Sequence, residues 1–290
     1  MFKKFYGSIV AIVTPMNEDG SIDFNALRDL IEWHIDCGTN AIVPCGTTGE
    51  SPTLTHDEHD AIIDFTVKTV NKRIPVIAGC GSNATAESIR LIRNAEKVGA
   101  DGALVITPYY NKPTQAGLIA HYSAIASSAN LPIVVYNVPA RTGINLLPET
   151  AIELSKIKNI VAIKEASGTV DNSAAILNSC ELAVLSGEDS LTLPIMALGG
   201  LGIISVVANV FPKEMAQLTA ALSNNDYETA RKIHRKLFNI FKIMFIETNP
   251  IPVKAALAYM GKIKETYRLP LVPMSDVSRQ KLYQALDSIK

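Results

Sequence analysis

The chain has 290 residues, is 48% apolar and carries a formal charge of −1, so it can bury a large core and shows no charge bias toward nucleic acid or an anionic membrane. Its four cysteines, Cys37, Cys45, Cys80 and Cys180, stand far apart. No CxxC or Cys/His spacing points to zinc or a disulfide framework, and a reducing, cytoplasmic setting is expected.

The first stretch, MFKKFYGSIVAIV, has two lysines before an apolar run, as a secretion signal does. Gly7 and Ser8 interrupt it and TPMNEDGS follows without a cleavage pattern, so a first β-strand is expected. Short runs rich in Val, Ile and Ala then recur: GSIVAIVT (7–14), NAIVPCG (40–46), IPVIAGC (74–80), GALVITPYY (102–110), PIVVYNV (132–138), IVAIKEA (160–166), LAVLSG (182–187) and GIISVVAN (202–209). Between them lie stretches of helical period such as NALRDLIEWHIDCG, HDEHDAIIDFTVKTV, TAESIRLIRNAEKVG and PETAIELSKI. Eight such units predict an α/β chain folded as a (β/α)8 TIM barrel. After residue 211 the strand signals stop and the pattern is helical, so residues 1–223 are expected to form the barrel and 224–290 a C-terminal helical domain. A doubly wound sheet competes, but no GxGxxG follows a first strand. No apolar run has the length of a membrane span.

Within VAIKEASG, Lys164 interrupts an apolar strand. Alternation puts Ile160, Ala162, Lys164 and Ala166 on one face and Val161, Ile163 and Glu165 on the other. If the larger residues pack under the helices, Lys164 points into the barrel near its C-terminal end, where barrel enzymes keep their chemistry. The alternative is a lysine that snorkels outward or pairs with a carboxylate. Other strand ends supply GTTGES (46–51), YYNKPT (109–114) and YNVPART (136–142). The Gly46–Gly49 turn can offer backbone donors and two hydroxyls to a carboxylate. Tyr136 is either an inward-facing reactive phenol or a core residue, and Arg141 either a structural ion pair or a fork for a substrate carboxylate.

Together these motifs resemble, from end to end, the dihydrodipicolinate synthase family of pyruvate-dependent class I aldolases. VAIKEASG is similar to its Schiff-base lysine motif, GTTGE to its pyruvate-carboxylate loop, and YNVPxRT to the segment with its catalytic tyrosine; YYNKP and SGED agree as well. The resemblance implies Lys164 as nucleophile and Tyr136 as proton carrier, coupled through Thr47 to Tyr110, the last supplied by a neighbouring subunit. It further implies that Thr48, Gly187 and the backbone at Ile204 hold pyruvate, that Arg141 grips the carboxylate of L-aspartate 4-semialdehyde, and that the protein is a homotetramer. No metal or organic cofactor is implied. The chemistry needs a neutral amine: at an ordinary pKa of about 10.4, roughly one lysine in a few thousand is neutral at pH 7, and burial raises that fraction.

THDEH (55–59) opens a helix with a capping box, Thr55 with Glu58, and sets His56 and His59 three residues apart. On the residues alone this is a solvated helix start. The resemblance implies instead that Ser51, His56, His59, Asn83, Glu87 and Tyr109 form a site for feedback inhibition by L-lysine. Two other functions fit part of this pattern. A sugar-acid lyase of the same superfamily would keep Lys164 and Tyr136 without needing Arg141, and a non-catalytic oligomeric binding protein would be expected to have lost the lysine or the tyrosine.

Overall fold

A computed structural model describes residues 5–289. Its strands are β1 Gly7–Ala11, β2 Ala41–Val43, β3 Ile77–Gly79, β4 Gly102–Ile106, β5 Ile133–Asn137, β6 Ile160–Glu165, β7 Ala183–Ser186 and β8 Gly202–Ser205. The helices between and after them are α1 Phe24–Asp36, α2 His56–Val70, α3 Thr85–Lys97, α4 Gln115–Ala126, the short α5 Pro139–Thr142, α6 Pro148–Ser155, α7 Val170–Ser179, α8 Thr192–Ala197, α9 Pro212–Ser223, α10 Tyr227–Ile243, α11 Ile251–Tyr259 and α12 Asp276–Asp287. All strand pairs are parallel, in the order β2-β1-β8-β7-β6-β5-β4-β3, and a parallel bridge between Ile42 and Val76 closes the ring. The expected (β/α)8 barrel with C-terminal helices is the fold. Among the described residues no helix is long and apolar enough to cross a membrane.

The strands are shorter than the apolar runs that announce them, for local reasons. β4 ends at Ile106, two residues before Pro108, which has no N–H for a ladder. β8 ends at Ser205 because the Asp189 carboxylate takes the Val206 and Val207 N–H groups at 3.2 and 3.3 Å and turns the chain into a 3₁₀ turn.

Alternation sorts the strands into two apolar layers. Ile9, Val43, Leu104, Val134, Leu185 and Ile204 fill the barrel, while Val10, Ile42, Val105, Val135, Ile163 and Val184 pack outward beneath the helices. One detail corrects the simple alternation on β6. Ile133 pairs with Ile160 but Val134 pairs with Ala162, so Val161 is an extra residue in a bulge. Ile160 therefore joins the outer layer and Val161 packs toward the inner one. Beyond the bulge, Ala162, Lys164 and Ala166 face inward as expected.

The C-terminal helices return to the barrel mouth. Lys254 of α11 meets Glu50 of the GTTGES loop at 2.5 Å, both side chains fully buried. Arg268 caps the same region through Glu58 at 2.5 Å and the carbonyls of Thr53 and Gly20 at 2.8 Å.

Candidate active site

Lys164 stands near the C-terminal end of β6, 5% exposed, with its Nζ 4.0 Å from the centre of the Tyr136 ring. Register brings the two together, because Tyr136 of β5 pairs directly with Lys164. Burial lowers the lysine pKa to about 7; the charge of Asp189 opposes the shift and that of Arg141 adds to it. At neutral pH the amine is thus neutral in a large fraction of molecules. Tyr136 is pushed the other way, up to about 12, by burial, against the opposing effects of Arg141 and the Thr47 hydroxyl. It therefore keeps its proton while resting and can hand it to a strongly basic centre such as an alkoxide.

These groups look into one cleft of about 1020 Å³, lined by Thr47, Thr48, Tyr136, Arg141, Lys164, Gly187 and Asp189. Three features of local chain chemistry shape it. The turn after β2 closes with the Gly49 and Ser51 N–H groups on the Gly46 carbonyl at 3.1 and 3.3 Å and the Glu50 N–H on Thr47 at 3.1 Å. This leaves the Thr47 and Thr48 N–H groups outside that set. Glu50, at φ +56°, holds a left-handed backbone that its buried contact to Lys254 over-determines. At Gly187 an added Cβ would lie 2.5 Å from that of Ala166, so only glycine lets this wall approach β6.

Arg141, in α5, donates from Nη2 to the Asn249 carbonyl at 3.1 Å. The Asn249 side chain in turn donates to the Thr48 hydroxyl at 2.9 Å. Asp189, buried beside the lysine, accepts from the Ser205 hydroxyl at 2.5 Å; burial raises its pKa against these hydrogen bonds.

Of the second set of residues, Ser51, His56, His59, Glu87 and Tyr109 line the same cleft. His56 pairs with Glu87 at 2.7 Å, and Ser82 donates to the other Glu87 oxygen. These hydrogen bonds, Ser82 first, hold the Glu87 carboxyl below its usual range. The capping box of Thr55 and Glu58 is present. The two histidines part company: His56 is exposed, while His59 is buried and bonds the Gly79 carbonyl at 2.9 Å. Three expected residues stand apart. Asn83 is half-buried outside the lining, its carbonyl accepting from Asn111 at 2.9 Å. Ile204 is fully buried in the inner layer. Tyr110, 89% exposed at φ +74°, is not part of its own chain's cleft.

Sequence reasoning missed Asn249, and read Asp189 only as part of a strand-end motif. Nothing in spacing marks Asn249, since it enters the cleft from the C-terminal helices; for Asp189 the signal was present in an acidic pair, Glu188 and Asp189, directly after a barrel strand.

A parallel barrel whose mouth buries a lysine of lowered pKa beside a protonated tyrosine has the parts of a Schiff-base-forming lyase. The chain belongs to the dihydrodipicolinate synthetase family, whose model matches residues 4–289. It is 54% identical over 286 residues to the 4-hydroxy-tetrahydrodipicolinate synthase of Syntrophus aciditrophicus, covering 98% of both chains. Among solved structures it is similar to the chloride-inhibited dihydrodipicolinate synthase of Acinetobacter baumannii complexed with pyruvate, at 48% identity, TM-score 0.97 and 98% of both chains. It is also similar to the enzyme of Cyanidioschyzon merolae with lysine bound, at 39% identity, TM-score 0.96 and 99% of both chains.

Proposed function

We propose that this protein condenses pyruvate with L-aspartate 4-semialdehyde to 4-hydroxy-tetrahydrodipicolinate, in the diaminopimelate route to L-lysine. The observation that carries the reading is the buried Lys164 amine, brought to a pKa of about 7 against Tyr136. Neutral Lys164 adds to the keto carbon of pyruvate, Tyr136 gives its proton to the carbinolamine hydroxyl, which leaves as water, and a protonated imine forms. The imine is itself the electron sink, so no metal or organic cofactor is required. The Tyr136 phenolate takes a methyl proton, and the enamine carbon bonds to the aldehyde carbon while the reprotonated Tyr136 protonates the resulting alkoxide. The amino group of the former semialdehyde then attacks the imine carbon, closes the ring and releases Lys164. Thr48, Gly187 and the backbone at Ile204 hold pyruvate, and Arg141 receives the semialdehyde carboxylate.

Thr47 links Tyr136 to Tyr110 of a neighbouring subunit in a homotetramer; the exposed Tyr110 side chain supports that role. Residues 1–223 form the barrel domain and 224–290 the helical one, and the protein works in the cytoplasm. L-Lysine inhibits by binding at Ser51, His56, His59, Asn83, Glu87 and Tyr109, where the ionised Glu87 suits an ammonium group.

The test is borohydride reduction with pyruvate, read by intact mass. A reduced adduct on the native chain and none on folded Lys164→Ala is expected; absence from both would remove the proposal. Turnover with the semialdehyde and not with sugar aldehydes separates it from a sugar-acid lyase. Activity should fall in millimolar L-lysine and stay unchanged for Glu87→Ala.

A further inference from the structure

Asn249 lies between α10 and α11, 5% exposed, and reaches the cleft from outside the barrel. Its Nδ2 donates to the Thr48 Oγ1 at 2.9 Å. A hydroxyl carries one hydrogen; once its oxygen accepts from an amide, that hydrogen points elsewhere. Among the described residues the Thr48 hydroxyl donates to no partner, and Thr48 lines the cleft that Lys164 also lines. We infer that Asn249 is a positioning residue for the first substrate: it sets the Thr48 hydroxyl so that its hydrogen is offered to the pyruvate carboxylate. The C-terminal helices thereby complete a pocket otherwise made by the barrel. The inference rests on the reading that Thr48 meets pyruvate. The Asn249 backbone carbonyl separately holds Arg141 at 3.1 Å, a contact that side-chain replacement leaves in place.

The full chain is treated with borohydride over a range of pyruvate concentrations, and the half-saturating concentration for adduct formation is compared among variants. Loss of the neutral hydrogen bond that orients the Thr48 hydroxyl predicts that Asn249→Ala raises this concentration by about 3- to 10-fold. Asn249→Asp, which offers Thr48 only acceptors and draws its hydrogen away, should raise it by more than about tenfold. Asn249 acts through Thr48, so Asn249→Ala should add nothing to the near-isosteric Thr48→Val. The plateau of adduct and the KM for the semialdehyde should stay at wild-type values.

The opposite amide orientation, with Thr48 donating to Oδ1, would be preserved in Asn249→Asp; a wild-type half-saturation in that variant overturns the inference. So does an equal effect of Asn249→Ala with Thr48 or Val at position 48, or a parallel rise in the KM for the semialdehyde, which would mark a general loss of structure. Complete absence of adduct on the native protein instead overturns the imine reading on which the inference stands.

Discussion

Strand β6 and helix α11 each bury a lysine, with different results. Lys254 meets Glu50 at 2.5 Å, with the Tyr267 ring 5.2 Å away, and the pair ties the GTTGES loop to the C-terminal helices. Lys164 faces an aromatic ring instead, and among the described residues no carboxylate lies within ion-pair distance of it. Its nearest acidic influence, Asp189, spends both oxygens on Ser205, Val206 and Val207. Burial lowers both pKa values, yet at Lys254 the Glu50 charge and hydrogen bond oppose the shift. Desolvation frees an amine only where the counter-charge is held off; with the carboxylate in contact, the same residue becomes a strut.

The comparison breaks if the two lysines respond alike to removal. Lys164→Ala should lower turnover by roughly 10⁴-fold or more while the protein stays folded, measured by steady-state assay and thermal melt. Lys254→Ala should act through stability. It leaves Glu50 buried without its cation and should cost about 3–5 kcal/mol in denaturant unfolding, most of it recovered by the uncharged pair Lys254→Met with Glu50→Gln. Tyr136→Phe should lower kcat by about 10²- to 10⁴-fold, the range of a lost proton carrier, with little change in melting.

A pH series sharpens the contrast. Imine formation should rise with pH through about 7 and then level off. The folded pKa of Lys164 lies below its unfolded value of 10.5, so between about 7 and 10.5 the unfolded chain binds more protons and stability rises with pH. Below about 7 the penalty is complete, and Lys164→Met should stabilise the fold most there, the gain shrinking as pH climbs toward 10.5. The smallest effect belongs to the exposed pair of His56 and Glu87, where His56→Ala should change stability by less than about 1 kcal/mol.

Much of this site was legible in one dimension. Alternation allows the inward face that Lys164 takes, and Thr47, Thr48, Tyr136 and Arg141 stand at strand ends, but on the residues alone each kept a structural alternative that the family resemblance, not the pattern, decided. The β6 bulge was not legible, because Ile160 and Val161 are both apolar and either satisfies either layer. Nor was the separation of His56 from His59, since helical spacing puts two side chains on one side without saying that one will reach the Gly79 carbonyl and the other Glu87.

The eight-unit barrel is written in the alternation of short apolar strands with amphipathic helices, and the residue types at its mouth in motifs each confined to a few neighbouring positions. It took the folded chain to bring Asn249 onto Thr48 across 201 positions, and to set Lys254 against Glu50 while Lys164 is left without a carboxylate partner among the described residues. The physical reason is that local pattern sets which way a side chain points, whereas burial, contact distance and pKa depend on what the rest of the chain brings against it.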